Sequence, residues 1–364
     1  MTRVLILTAT VGEGHDRPAQ TLAAQLRAEA PDVEIVIEDC LAAMGRAVAA
    51  VSEDAARVVF YRFQWVWDVG YWVFACNRLT REISQRLIVR AGAPGLMRLI
   101  DRVDPTVVVS VYPNVTEVLG RLKRNGRLRR PVVAAITDLA GMHYWASRGI
   151  DVHLVTHPES VGEVRSIVGA EATVACVHGF TLPEFRERRR QEDARGRLGL
   201  PGGGKIVLVS GGGWGVGDVK GAVEETLAIG DVTAVVCLCG RNELLRSTLA
   251  ARFAQERRVR VEGFTDEMPE WMAAADVLVH STGGLTVLEA LMRGCPTISY
   301  GWARGHVRLN NRAFREFGLA DVAEQRSELR PALERAFRNG RTVTSEFDRL
   351  PSAASFVLAA AHAS

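Results

Sequence analysis

Residues 275–294 read ADVLVHSTGGLTVLEALMRG, and their types are those that hold a phosphorylated ligand. A short apolar run, Val277 to Val279, predicts a strand. Ser281-Thr282-Gly283-Gly284 then leads into a helical pattern carrying Glu289. Gly283 and Gly284 lack Cβ atoms, so a ligand can approach the backbone closely. A helix start offers N–H groups and a partial positive charge, which suit a pyrophosphate. Glu289 is placed to accept hydrogen bonds from two ribose hydroxyls. These features read as a nucleotide-diphosphate site. A tight turn without a ligand is the other reading of a glycine pair after a strand.

Three further groups have types and spacing suited to chemistry. Gly12-Glu13-Gly14-His15 stands where the first strand-like run turns into the first helix. His15 there is either a functional imidazole or a capping residue. Thr137-Asp138-Leu139, with His143 close behind, follows the strand-like run Val132–Ile136. Asp138 suits a general base for an alcohol if its surroundings tune it, or else an Asp that caps a turn. Gly211-Gly212-Gly213-Trp214-Gly215 is a glycine loop without the Lys-Ser/Thr ending of a P-loop. No acidic residue ends the following strand-like run, AVVCLC, which argues against NTPase and NAD-dependent chemistry.

The elements that must position these groups alternate along the whole chain. Strand-like runs fall at Val4–Leu7, Glu34–Ile37, Val107–Val111, Val132–Ile136 and His153–Val155. They recur at Lys205–Val209, Ala234–Leu238, Val259–Glu262, Val277–Val279 and Thr297–Ser299. Helix-period segments between them predict βαβ units and parallel sheets. Each half opens with strand, glycine loop and helix. This predicts an α/β protein of two Rossmann-like domains facing each other across a cleft, with ligands at the strand C-termini. The expected boundaries are a first domain at 1–185, a linker at 186–204, a second domain at 205–340 and a closing helical segment at 341–364.

Composition limits the partners. A chain of 364 residues with a net charge of +3 gives no argument for nucleic-acid binding. The six cysteines show no metal-ligand or CxxC spacing. Cys237 and Cys239 read as buried small hydrophobes, which suits a cytoplasmic setting. No signal peptide and no transmembrane span are expected, because Arg62, Gln64 and Asp68 break the longest apolar stretch, 58–75. That stretch is rich in aromatics, with Trp65, Trp67 and Trp72 among them and arginines around it. Core packing and an interfacial segment on an anionic membrane are both compatible with it. The sequence leaves the oligomeric state open.

Taken in order, these motifs resemble one family. Gly-x-Gly-His, Thr-Asp-Leu with a following His-x-Trp, the second glycine loop, and Gly263-Phe264-Thr265 leading to Met268 and Trp271-Met272 all occur. Gly283-Gly284, Glu289-Ala290-Leu291 and Arg293-Gly294 complete the set. The chain resembles the monogalactosyldiacylglycerol synthase and processive diacylglycerol glucosyltransferase family. More distantly, it is similar to the transferase that adds N-acetylglucosamine to lipid-linked peptidoglycan precursors. The resemblance implies a GT-B fold, a UDP-sugar donor and inverting transfer without a metal or other cofactor. It also implies a lipid acceptor, with the protein peripheral on the inner face of the cell membrane. Under it Asp138 is the candidate base, and His15 assists catalysis or orients the acceptor. Gly211, Gly212, Gly213, Phe264, Ser281, Thr282, Gly283, Gly284, Glu289, His306 and Asn310 form the donor site. Gly14, His143, Trp65, Trp67 and Trp72 lie on the acceptor and membrane side. Two departures stand out: Gly305-His306-Val307 replaces the usual Gly-Gln-Glu, and His178-Gly179-Phe180-Thr181 replaces Gly-Ile-Pro. The first leaves the donor sugar open. The competing expectations are a soluble natural-product acceptor, a UDP-GlcNAc 2-epimerase-like enzyme and a non-catalytic sugar-nucleotide-binding module.

Overall fold

In the computed structural model the described residues are 2–9, 13–45, 69–301, 304–342 and 346–363. Trp65 and Trp67 lie outside them. The chain divides into two compact units. One comprises Met1–Leu182, Arg304–His306 and Leu350–Ser364; the other comprises Pro183–Ala303 and Val307–Arg349.

The first unit is built on six parallel strands. They are β1 (Arg3–Thr8), β2 (Glu34–Asp39), β3 (Val107–Ser110), β4 (Val132–Ile136), β5 (Val152–Val155) and β6 (Thr173–Cys176), in the order β2-β1-β3-β4-β5-β6. Val4–Leu7, Val107–Val109 and Val132–Ile136 have no exposed surface. Strands covered on both faces read as unbroken apolar runs, which explains why alternation is absent here. Helices α1 (Glu13–Glu29), α2 (Cys40–Met44), α3 (Arg78–Val103), α4 (Pro113–Arg124) and α5 (Ser160–Val168) belong to the same unit. The C-terminal helix Ala353–His362 packs on α1 and on β3, β4 and β5. Ser352 Oγ caps it by accepting from Ser355 N, and the preceding residues bridge to His178 in parallel register.

The second unit repeats the plan with β7 (Lys205–Ser210), β8 (Val232–Leu238), β9 (Val259–Glu262), β10 (Val277–His280), β11 (Thr297–Tyr300) and β12 (Asp321–Ala323), all parallel. Their order is β12-β11-β10-β7-β8-β9. Its helices are α6 (Gln191–Leu198), α7 (Val219–Leu227), α8 (Glu243–Arg252), α9 (Met268–Ala274), α10 (Gly284–Arg293), α11 (His306–Phe317) and α12 (Arg326–Asn339). The stretch 186–204, read from sequence as a linker, carries α6. Arg195 explains why it folds. Its guanidinium is 5% exposed and donates to Ala274 O, Gly202 O and Asp276 Oδ2, which ties α6 to α9 and to the start of β10. Among the described residues no helix is long and apolar enough to cross a membrane.

Each sheet changes winding direction once, between β1 and β3 in the first unit and between β7 and β10 in the second. The loops leaving these strand pairs diverge, and the crevice so formed is where doubly wound sheets take ligands. In the second unit the two diverging loops are the two glycine motifs. They interlock through small residues. A Cβ on Gly217, at φ +90°, would stand 2.1 Å from Ser281 Oγ. Gly217→Ala is therefore expected to cost about 2 kcal/mol from backbone strain and the displaced Ser281. A urea-denaturation midpoint matching wild type would contradict this packing.

Candidate active site

In the first unit the crevice gathers His15, Tyr112, Asp138 and Trp145. The first turn of α1 delivers His15, whose Nδ1 is 3.0 Å from Val111 O, just beyond β3. A carbonyl only accepts, so Nδ1 carries the hydrogen and Nε2 keeps its lone pair. The ring meets Tyr112 edge-on at 5.0 Å and lies 5.6 Å from the ring of Trp145. Burial lowers the His15 pKa to about 4, against the opposing pull of the Asp138 charge, so the imidazole is neutral at pH 7. Asp138 leaves β4 half-buried, and Trp145 Nε1 donates to its Oδ2 at 2.9 Å. Thr137 Oγ1 donates to Gly14 O at 3.4 Å, joining the two loops.

The loop from Asp138 to Trp145 is held from three sides. Glu163 accepts from Gly141 N and Met142 N at 3.2 and 3.0 Å. Ser160 Oγ donates to Leu139 O at 2.8 Å. The Tyr144 hydroxyl reaches Phe74 O at 2.8 Å and Ser84 Oγ at 3.0 Å. Tyr144 sits at φ 75°, in the left-handed region a tyrosine rarely adopts, and such strain persists only where the surroundings enforce it. His143 is half-buried; burial and the nearby Arg81 charge lower its pKa.

Tyr144 thus fastens the Asp138 loop to an exposed apolar surface. Trp72 and Phe74 lie on a π-helical turn, Trp72–Cys76, and are 61% and 55% exposed. Leu79, Ile83 and Leu87 follow at four-residue spacing on α3 and are 77%, 58% and 62% exposed. That spacing puts them on one helix face. The fully buried residues of α3 all lie from Gly92 onward, with Ile88 and Val89 packed against the margin of the core. Arg78, Arg81, Arg86 and Arg90 lie in the same exposed half.

In the second unit the glycine loop after β7 is tied down internally. Gly211 N donates to Leu238 O, Gly212 N to Ser210 Oγ, and Gly213 O accepts from Arg241 N at 2.8 Å. The Arg241 guanidinium lies 3.8 Å over the ring of Phe264, so Phe264 is joined to this loop through one residue. Ser281 and Thr282 turn inward. Ser281 N donates to Ser210 O and its hydroxyl to Tyr300 O at 2.6 Å, while Thr282 bonds to His280. Their side chains support the loop, which leaves the backbone at Gly283 and Gly284 as the part offered to a ligand. Gly283 begins α10 with no side-chain cap, whereas Asp218 caps α7 through Gly221 N. Glu289 is half-buried on the second turn of α10. His306 opens α11, and Asn310 is fully buried one turn later.

Several contributors carry no local sequence signal. Trp145 is visible only as part of His-x-Trp. Nothing in sequence links Glu163 to a loop more than twenty residues away, and His280 reads as a strand end.

Solved structures share this fold over essentially the full chain. MurG of Acinetobacter baumannii superposes with a TM-score of 0.60 at 13% identity, covering 99% of this chain and 100% of its own. The spinosyn rhamnosyltransferase SpnG gives 0.60 at 12%, covering all of both chains. Two parallel doubly wound units with glycine-rich loops at their switch points make this the GT-B fold. The family model of monogalactosyldiacylglycerol (MGDG) synthase matches residues 15–180 and that of glycosyl transferases group 1 matches residues 215–315, which makes the chain a glycosyltransferase. Processive diacylglycerol beta-glucosyltransferase of Bacillus subtilis (strain 168) is 24% identical over 331 residues, 90% of this chain and 85% of that protein. The probable monogalactosyldiacylglycerol synthase 2, chloroplastic, of Oryza sativa subsp. indica is 29% identical over 317 residues, 81% and 65% respectively.

Proposed function

We propose that this protein transfers a hexose or N-acetylhexosamine from a UDP-sugar to the hydroxyl of diacylglycerol or a related membrane lipid, with inversion at the anomeric carbon. Asp138 takes the proton of the acceptor hydroxyl, whose oxygen attacks the anomeric carbon from the face opposite UDP. The glycosidic bond to the diphosphate breaks, and UDP leaves with the electron pair. His15, neutral and with Nε2 able to accept, is the second proton acceptor in the pocket and holds the polar end of the acceptor. In the glycine loop 211–213 the N–H groups of Gly211 and Gly212 are held within the protein, so the diphosphate charge is met by the N–H of Gly213, by those of Gly283 and Gly284 and by the start of α10, which is why no divalent ion enters the proposal. Phe264 lines the base, Glu289 binds the ribose and His306 faces the sugar, while Asn310, fully buried one turn later, does not reach it.

The single observation that favours a lipid acceptor is the exposed row Trp72, Phe74, Leu79, Ile83 and Leu87, hydrogen-bonded through Tyr144 to the loop that carries Asp138. Large apolar side chains gathered at a surface mark an interaction site, and arginines beside them suit anionic headgroups. The names of both relatives carry diacylglycerol, as what is glucosylated in one and within the product in the other. Under this proposal the protein acts as a peripheral enzyme, at the inner face of the cell membrane. Burial of each such side chain in lipid contributes about 1.5–3 kcal/mol. The double variant Ile83→Glu, Leu87→Glu is therefore expected to weaken sedimentation with anionic phosphatidylglycerol liposomes by roughly tenfold or more. UDP binding should stay unchanged. Equal liposome binding by the variant and wild type would remove this surface from the proposal.

A further inference from the structure

We propose that His280 is a positioning residue for the donor diphosphate, holding Thr282 so that the Gly283-Gly284 backbone meets the phosphates. This rests on the donor site proposed for the second unit. His280 closes β10 and is 1% exposed. Its Nδ1 lies 3.2 Å from Thr282 N and 3.0 Å from Thr282 Oγ1. An amide N–H only donates, so Nδ1 is the acceptor and the ring hydrogen resides on Nε2. The threonine hydroxyl donates toward the same lone pair. Such an arrangement needs a neutral imidazole, and burial holds the His280 pKa at about 4. The ring packs nearly edge-on to Phe314, with centroids 6.2 Å apart and planes at 69°.

Both donors of Thr282 are therefore drawn toward the sheet, and the chain beyond it is set before it enters α10. The outer side of Thr282 is fixed too. A Cβ on Gly212 would lie 2.5 Å from Thr282 Cγ2, so this methyl group is wedged against the glycine loop after β7. One residue thus spaces the two backbone segments that face the diphosphate, and His280 determines where that residue stands. The run Val277-Leu278-Val279 before it is wholly apolar and buried, and an aliphatic residue at 280 would fill the same volume. What an aliphatic residue cannot do is accept the Thr282 N–H. Left without a partner in a half-buried setting, that N–H would turn away in search of one.

Two substitutions separate this role from simple packing. His280→Leu keeps apolar volume against Phe314 and removes the acceptor. His280→Asn keeps an acceptor near the Nδ1 position and loses the ring contact. Calorimetric titration with UDP is expected to show His280→Leu binding about tenfold more weakly than wild type, as follows from one unpaired, half-buried amide. His280→Asn should bind within about twofold. Urea-denaturation midpoints should run the other way, with His280→Asn the less stable of the two. Wild-type UDP affinity in His280→Leu would overturn the assignment. So would losses of affinity that follow the order of stability. Absence of UDP binding by the wild-type protein would overturn the donor site itself, a result distinct from either of these.

Discussion

Asp138→Asn is expected to lower kcat for transfer by roughly three orders of magnitude, within the range that a positioned general base contributes. Asparagine is nearly isosteric with aspartate and can still accept from Trp145 Nε1, which lies 2.9 Å from Oδ2. The loop also keeps its ties to Glu163, Ser160 and Tyr144. What is lost is the capacity to take a proton. Because the proposed contacts to UDP, at residues 213, 264, 283–284 and 289, reside in the second unit, UDP affinity and the melting temperature should stay close to wild type. A fall in kcat and kcat/KM by the same factor would mark an interaction made only in the transition state. Turnover near the wild-type rate would remove Asp138 from the chemistry and shift the proton to His15 Nε2.

Acidification from pH 7 to pH 5 is expected to destabilise the protein by about 4 kcal/mol, mainly through His153 and His280. Both are essentially buried, at 0% and 1% exposure, and burial lowers the pKa of each from 6.5 to about 4. The unfolded chain, with its histidines near 6.5, binds protons in this window while the folded protein does not. Stability is therefore complete above pH 6.5 and is lost as the pH falls toward 4. His15 and His143 shift in the same direction and add to the effect. The loss is a large share of the 5–15 kcal/mol typical of a folded domain. Urea unfolding at pH 7, 6 and 5 measures it, and above pH 5 most carboxylates remain ionised. A flat profile would show that these imidazoles are charged or hydrated in the folded state.

Much of the architecture was legible because buried parallel strands leave unbroken runs of Val, Ile and Leu. The ten runs read from sequence all became strands. The two that escaped, Thr173–Cys176 and Asp321–Ala323, are two of the four edge strands, each paired on one side only. Their half-exposed residues form no apolar run. The stretch 186–204 looked like a linker because charge and glycine dominate it. Tertiary partners of Arg195, far off in sequence, decide that it folds.

The candidate site was legible in its glycines, in His15 and in Asp138, since each follows a strand directly. The roles of Ser281 and Thr282 were not, because the direction of a short polar side chain depends on partners in other strands, here Tyr300 and His280. The exposed face of Leu79, Ile83 and Leu87 was missed for a related reason. Apolar residues at four-residue spacing ordinarily face a core, and only the placement of α3 shows that the first half of this helix does not.

The most direct test of lipid glycosylation is product formation in a defined mixture. Purified protein would be incubated with diacylglycerol in phosphatidylglycerol liposomes and with UDP-glucose, UDP-galactose or UDP-GlcNAc, with EDTA present. The account predicts UDP release matched by a glycolipid of inverted anomeric configuration from one of these donors, with no metal added. Release of UDP without glycolipid, or a product that retains the donor configuration, would contradict it.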